Sequence, residues 1–173
     1  MQLFYSKQRT TIGQTFETIY QENQHLVKVL RKNVGDKISI SNGKGKLFSA
    51  KIISIAKKKS ILEVVELIKE DKQNHPLSIA IAPTKNISRI EWFIEKSVEI
   101  GLYEIFLFES QNSERRNVKI ERLQSKALSA MKQSLKTQLP QIYELQKFTK
   151  FIKIISESFE EKYIAYCEES ELQ

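Results

Sequence analysis

Through its first 70 residues the chain alternates apolar and polar positions in short runs. Lys37-Ile38-Ser39-Ile40-Ser41 has the period of two expected of a half-buried strand. Asn42-Gly43-Lys44-Gly45 follows it, and Asn-Gly between alternating runs is a strong hairpin signal because both residues tolerate positive φ. Two further strands are predicted over residues 47–55 and 60–67, joined by the basic turn Lys57-Lys58-Lys59. A short helix over residues 22–30 places Leu26 and Leu30 on one face, and Gly35-Asp36 turns the chain after it. The sum is a small β-barrel or curled sheet with one helix.

The pattern changes at the polar stretch Asp71-Lys72-Gln73-Asn74, which divides the chain into residues 1–72 and 73–173. Beyond it strands and helices alternate. Residues 77–82 form a continuous apolar run, as in a strand buried on both faces. Residues 86–100 repeat Ile87, Ile90, Ile94 and Val98 at helical spacing; Ser88 with Glu91 fits a capping box and Gly101 a left-handed C-cap. A strand over 104–108, a helix over 119–136 closed by Pro140, and a third strand over 162–167 complete the series. Alternation of this kind predicts a parallel sheet with right-handed crossovers. The fold class is α+β overall: a β-rich module, then an α/β module. Three strands make a thin parallel sheet, so the second module reads as unfinished.

At 173 residues and 40% hydrophobic content the chain is long and apolar enough for one large or two small packed cores. It has no apolar run near the roughly 20 residues of a membrane helix, and its start, Met1-Gln2-Leu3-Phe4-Tyr5, lacks secretory-signal features. One cysteine, Cys167, and two histidines, His25 and His75, argue against an internal disulfide or a zinc site, and a cytoplasmic setting is expected. Charge is unevenly spread. Of 28 Lys/Arg and 21 Asp/Glu, residues 1–73 hold 14 and 7, so the rest of the chain is balanced at 14 and 14 and the net +7 lies in the first module. A polyanion would be drawn there first, through release of its condensed counterions; a basic surface serving only solubility fits the number equally well.

Six segments, in order, resemble the RsmE-type family, which methylates ring nitrogen three of a uridine in small-subunit (16S) ribosomal RNA. They are His25-Leu26-Val27-Lys28-Val29-Leu30-Arg31; Gly35-Asp36; Asn42-Gly43-Lys44-Gly45, with Asn where the family has Asp; Lys85, Arg89 and Glu95-Lys96-Ser97-Val98-Glu99-Ile100-Gly101; Ser113-Glu114-Arg115-Arg116; and Ala130-Met131-Lys132-Gln133-Ser134 before Pro140. The resemblance implies a PUA-like RNA-binding barrel and a SPOUT-type methyltransferase domain. That domain ends in a trefoil knot holding S-adenosylmethionine, and the enzyme usually works as a homodimer. The family's Gly-Pro-Glu-Gly and Leu-Arg-x-Glu-Thr-Ala segments have no counterpart here. All five glycines, at 13, 35, 43, 45 and 101, lie outside the last 72 residues. A cofactor held by backbone amides needs glycines where the chain approaches closely, so no S-adenosylmethionine is expected on this chain alone, which would then be inactive.

The candidate RNA-binding residues are Arg31, Lys85, Arg89, Trp92, Lys96, Arg115 and Arg116. Lys85, Arg89, Trp92 and Lys96 follow one helical stripe, suited to phosphate contacts and stacking on an unpaired base. The same stripe fits a solvated face with Lys96 paired to Glu99 and Trp92 packed on a neighbour or a dimer mate. Arg115 and Arg116 follow a parallel strand, at the sheet edge where α/β proteins place ligands, or else form a plain surface loop. Arg31 fits either an RNA contact or a helix-dipole partner. His25 reads as packed against the barrel and Cys167 as a small buried hydrophobe. No catalytic base, nucleophile triad or metal cluster is legible. Beside the methyltransferase stand two other readings, a non-catalytic RNA-binding protein and an interaction domain whose open sheet edge pairs with another chain.

Overall fold

The computed structural model describes residues 2–8, 11–72 and 76–165. Its first sheet contains β1 (Leu3–Tyr5), β2 (Thr15–Glu17), β3 (Lys37–Ser41), β4 (Lys46–Ile55) and β5 (Ser60–Glu70), in the order β1-β3-β4-β5-β2. The alternating run becomes β3, whose Ile38 and Ile40 are buried, and the Asn42–Gly45 turn joins it antiparallel to β4. The edge strands, three residues each, are too short to carry a sequence pattern. Phe4 of β1 and Phe16 of β2 sit at opposite edges yet enter one core with Leu26, Ile40, Ile52 and Leu62, so the sheet curls around it. Three register shifts between β4 and β5 supply local bends for that curl.

The predicted helix over 22–30 is α1 (Tyr20–Gln24) running directly into a π-helical turn, His25–Val29, which drives Leu26 into the core. His25 meets the Phe4 ring edge-on at 6.1 Å and contacts the Gln2 amide, a packing position. Asn23 is buried and spans from α1 to the β4–β5 turn. Its amide donates to the Ala56 carbonyl at 3.0 Å, and its side-chain oxygen accepts from the Ser60 hydroxyl at 2.5 Å. A buried amide satisfied on both sides fixes the turn that bears Lys57 and Lys58.

In the second sheet β6 (Ser78–Ile81), β8 (Gln141–Ile142) and β9 (Gln146–Lys147) all run parallel to β7 (Glu104–Glu109). β7 is central, and its side chains alternate. Ile105 and Leu107 face α2 (Ile87–Ile100) and α3 (Ile120–Gln133), in a cluster with Ile90, Ile94, Leu123 and Met131. Phe106 and Phe108 face the other way, Phe108 stacking on Phe151 of α4 (Phe148–Ser158) at 4.9 Å and Phe106 on Tyr143 at 4.3 Å. The Glu104 carboxylate accepts from the Tyr143 hydroxyl at 2.6 Å and pushes that phenol up to about 12. Both faces of the sheet are therefore covered, as a parallel sheet requires.

Four expectations need correction. β6 is an edge strand among the described residues, half-buried rather than buried on both faces, with the adjoining Leu77 59% exposed. The place beside β7 is taken by β8 and β9. Residues 161–165 are irregular and exposed, while Tyr166 and Cys167 lie outside the described residues. The cap of α2 is Asn86, whose side chain accepts from the Ser88 amide at 3.0 Å, because Asn86 is the last extended residue before the helix. Finally α3 stops at Gln133, where Leu135 turns left-handed with φ 56°. Gly101 does end α2 as expected, with φ 90°.

The two sheets meet along a hydrogen-bonded seam. The Thr137 carbonyl accepts from the Ser41 hydroxyl and the Gly45 amide, both at 3.0 Å, and the Leu139 amide donates to the Gly43 carbonyl at 2.9 Å. Lys132 of α3 pairs with the Glu22 carboxylate of α1. Asp71 closes the seam by accepting from the Thr137 hydroxyl at 2.6 Å. Its carboxyl is held below the ordinary carboxylate range, first by the hydrogen bond from Lys69 and next by that from Thr137. A depressed native pKa stabilises the fold above the unfolded pKa, about 4, and is lost as pH falls through the native value. Melting midpoints of Asp71→Asn and the parent chain are thus expected to differ at neutral pH and to converge below about pH 4. A gap that stays constant into acid would remove Asp71 from the seam.

Candidate functional site

The carboxyl ends of β6 and β7 open onto two loops, residues 82–86 and 110–119. The second starts as a tight turn in which the Ser110 amide donates to the Ser113 hydroxyl at 2.9 Å and the Ser113 amide to the Ser110 carbonyl at 3.0 Å. This aims Glu114 and Arg115 back at the first loop. The Arg115 guanidinium donates to the Thr84 carbonyl at 3.1 Å and to the Lys85 carbonyl, and Glu114 pairs with the Lys85 ammonium at 2.8 Å. Arg115 is a strut whose donors are directed at backbone. Arg116 is exposed and enters no ion pair among the described residues.

The stripe on α2 divides. Arg89 and Trp92 flank a shallow apolar depression with Ile81, Ile90 and Phe93, and Trp92 is 63% exposed. Lys96 instead donates to both Glu99 oxygens at 2.9 and 2.8 Å, and Glu99, with Glu95 behind it, raises the ammonium pKa. Glu95 pairs with Lys126 of α3 at 2.5 Å, which holds its carboxyl low, and Glu91 pairs with Arg122. That flank of α2 is a ladder to α3. Arg31 belongs to the first module, exposed just after the π-turn with φ 51°, and no hydrogen bond or ion pair among the described residues links it to the strand edge. The structure therefore gathers Lys85, Arg89, Trp92, Arg115 and Arg116 around one sheet edge, with Arg89, Trp92 and Arg116 presented outward.

A cleft of about 700 Å³ lies along the seam, with Tyr5, Lys44, Asp71 and Tyr103 among its walls; burial pushes the Tyr5 phenol up. It went unseen in the sequence because its walls come from both modules. A cradle for a methyl donor would need main chain that a Cβ would crowd. Gly101 is the single glycine among described residues 76–165, caps a helix, and has nothing within 4 Å of an added Cβ. No glycine among these described residues offers such a cradle. No group of three His, Cys, Asp or Glu side chains among the described residues is placed to hold a metal, and no described helix is long and apolar enough to cross a membrane.

Residues 71–173 match the family model of an RNA methyltransferase domain, and residues 22–65 that of an RNA methyltransferase PUA domain. The ribosomal RNA small subunit methyltransferase E of Bacillus subtilis is 26% identical over 172 residues, covering 95% of this chain and 66% of its own length. Its counterpart from Buchnera aphidicola is 32% identical over 136 residues, covering 73% and 53%. Among solved structures, a probable rRNA-methyltransferase from Porphyromonas gingivalis has a TM-score of 0.78 at 37% identity, over 88% of this chain and 63% of the other. The small subunit methyltransferase E of Neisseria gonorrhoeae, solved with S-adenosyl methionine bound, has a TM-score of 0.76 at 23% identity, over 88% and 65%, a likeness of fold. The chain thus spans between about half and two thirds of the length of these relatives.

Proposed function

Since the chain belongs to the RNA methyltransferase family and is of the RsmE type, we propose that it is the larger part of an enzyme that methylates ring nitrogen three of a uridine in 16S ribosomal RNA, with S-adenosylmethionine as donor. The observation that carries this reading is the ordered pair of family matches over 22–65 and 71–173, one for each sheet of the fold. In it residues 1–72 hold the RNA and 73–173 form the part of the methyltransferase domain present here. Its setting is the small ribosomal subunit in the cytoplasm. A second copy of the chain is the partner that would cover the exposed apolar side chain of Ile100, 72% exposed at the end of α2.

The residues of this chain act on RNA rather than on the donor. Arg89 and Arg116 offer charge to phosphates and Trp92 a face for an unpaired base, while Arg115 and Glu114 set the distance between the two loops. Charge reversal at Arg116 is expected to lower the slope of log affinity against log salt by roughly 0.7, the value of one single-strand phosphate contact. A slope equal to that of the parent chain would take Arg116 off the surface. Arg115→Glu is expected to lower thermal stability as well, because it removes two hydrogen bonds to backbone.

In this reading the chain alone is expected to bind RNA without transferring a methyl group. Calorimetric titration with S-adenosylmethionine is expected to give no binding heat, and micromolar affinity would contradict this. The function itself is tested by incubating the full-length gene product with methyl-labelled S-adenosylmethionine and unmodified small subunits. Nucleoside analysis is expected to find the label in 3-methyluridine; label in another nucleoside, or none in RNA, would overturn the proposal.

A further inference from the structure

The excess positive charge of the chain lies before residue 74, yet six of the seven candidate RNA contacts lie after it. Ion pairing separates lysines that are used from those that are not. Lys46, Lys59, Lys69, Lys85, Lys96, Lys126 and Lys132 are each paired with a carboxylate. Lys28, Lys57 and Lys58 are exposed, and none of them enters an ion pair among the described residues. These three line one cleft of about 350 Å³ between α1 with its π-turn and the β4–β5 turn, together with Tyr20, Gln24 and Val27.

The cleft is built rather than incidental. Tyr20, Gln24, Val27 and Lys28 recur at spacings that put them on one helical face. The facing turn is pinned to that helix by Asn23, through the Ala56 carbonyl, and by Gln24, whose amide donates to the Lys57 carbonyl at 3.3 Å. The Ala56 amide closes the turn by donating to the Lys59 carbonyl at 3.0 Å, and Lys59 is tied away to Glu17 at 2.5 Å. Lys57 and Lys58 are left at the rim. Tyr20 stands 60% exposed, its ring uncovered by the core. Unpaired lysines beside an open aromatic ring make the chemistry that takes a single strand, with phosphates on the ammonium groups and a base on the ring. A π-helical turn set in the helix is itself a frequent mark of a functional segment.

We propose that the cleft formed by Tyr20, Lys28, Lys57 and Lys58 is an RNA-binding subsite that takes a single-stranded segment of the substrate. It rests on the reading that the chain holds RNA, and it names the face of the first module that does so. It is independent of the sheet edge around Arg89 and Arg116.

The test is fluorescence titration of a labelled 20-nucleotide single-stranded RNA and of the same sequence as a duplex, across a salt series. Lys57→Glu/Lys58→Glu is expected to weaken single-strand binding at least tenfold and to reduce the salt slope by about 1.4, from two contacts of roughly 0.7 each. Tyr20→Ala is expected to weaken it about tenfold with the slope unchanged, and Tyr20→Phe to restore it, as loss and recovery of a stacking face demand. Lys57→Gln/Lys58→Gln, which removes charge without introducing its opposite, covers a failure of the reversal variant to fold. Parent-like affinity in the folded lysine variants, or a loss confined to the duplex or to anionic vesicles, would overturn the subsite while leaving RNA binding by the chain intact. No RNA binding by the parent chain would overturn both.

Discussion

Ile94→Ala is expected to lower the melting midpoint by roughly 4–20 °C. Ile94 is fully buried at the centre of the cluster formed by α2, α3 and β7. Truncating a buried Ile removes its transfer free energy and leaves a cavity, together costing about 2–5 kcal/mol. In a protein of this size each kcal/mol moves the midpoint by about 2–4 °C. Trp92, two residues away, faces outward, so Trp92→Ala is expected to shift the midpoint by about 2 °C or less while weakening RNA binding. Thermal melting of the two variants side by side decides the matter. If both fall equally, the burial assigned to the faces of α2 is wrong, and the outward presentation of Arg89 and Trp92 falls with it.

Gly45→Ala is expected to destabilise by about 2–5 kcal/mol, more than Gly13→Ala, although both glycines have left-handed φ, +84° and +82°. At Gly13 an added Cβ meets open space, so the backbone conformation sets the cost at about 1–2 kcal/mol. At Gly45 the Cβ would stand 2.6 Å from the Asp71 carbonyl oxygen. Retreat is blocked because Gly45 donates to the Thr137 carbonyl at 3.0 Å and accepts from the Asp71 amide at 2.7 Å. Moving it gives up two bonds of about 0.5–1.5 kcal/mol each. Urea unfolding of the two variants separates these terms, and equal losses would mean that the seam yields freely. Under the proposed function, the seam would set how RNA held on the first module meets the loops of the second.

The long patterned elements of this fold were legible in the sequence. Period-2 alternation marked β3, the Asn42-Gly43 turn marked the hairpin, and the isoleucine spacing marked α2 with its Gly101 cap. Composition alone misleads at two runs. The apolar stretch 77–82 looks buried on both faces, but burial depends on neighbours, and β6 has one on a single side among the described residues. The run at 162–167 looked like the third strand because it is apolar, whereas Gln141-Ile142-Tyr143-Glu144-Leu145-Gln146-Lys147 carried a broken alternation too short to stand out. Helix α4 carries a sequence signal of its own, Phe148, Phe151, Ile152 and Ile155 at helical spacing.

Of the candidate site, the loop chemistry was legible and the division of labour was not. Ser113-Glu114-Arg115-Arg116 stood out as a charged run at a strand edge, but only the fold separates Arg115, spent on two carbonyls, from Arg116 beside it. Lys96 and its bond to Glu99 were foreseeable from their spacing of three. The Tyr20–Lys58 cleft could not be foreseen. Its two walls are some 30 residues apart in the chain, and what makes its lysines notable is that the fold brings them to one cleft beside Tyr20.

The proposed function requires that this protein modify small-subunit ribosomal RNA. The most direct measurement is the 3-methyluridine content of 16S RNA from cells with and without the gene, by mass spectrometry of digested nucleosides. Disappearance of that nucleoside from the deletion strain, with its return on complementation, is the expected result. An unchanged amount would contradict the account.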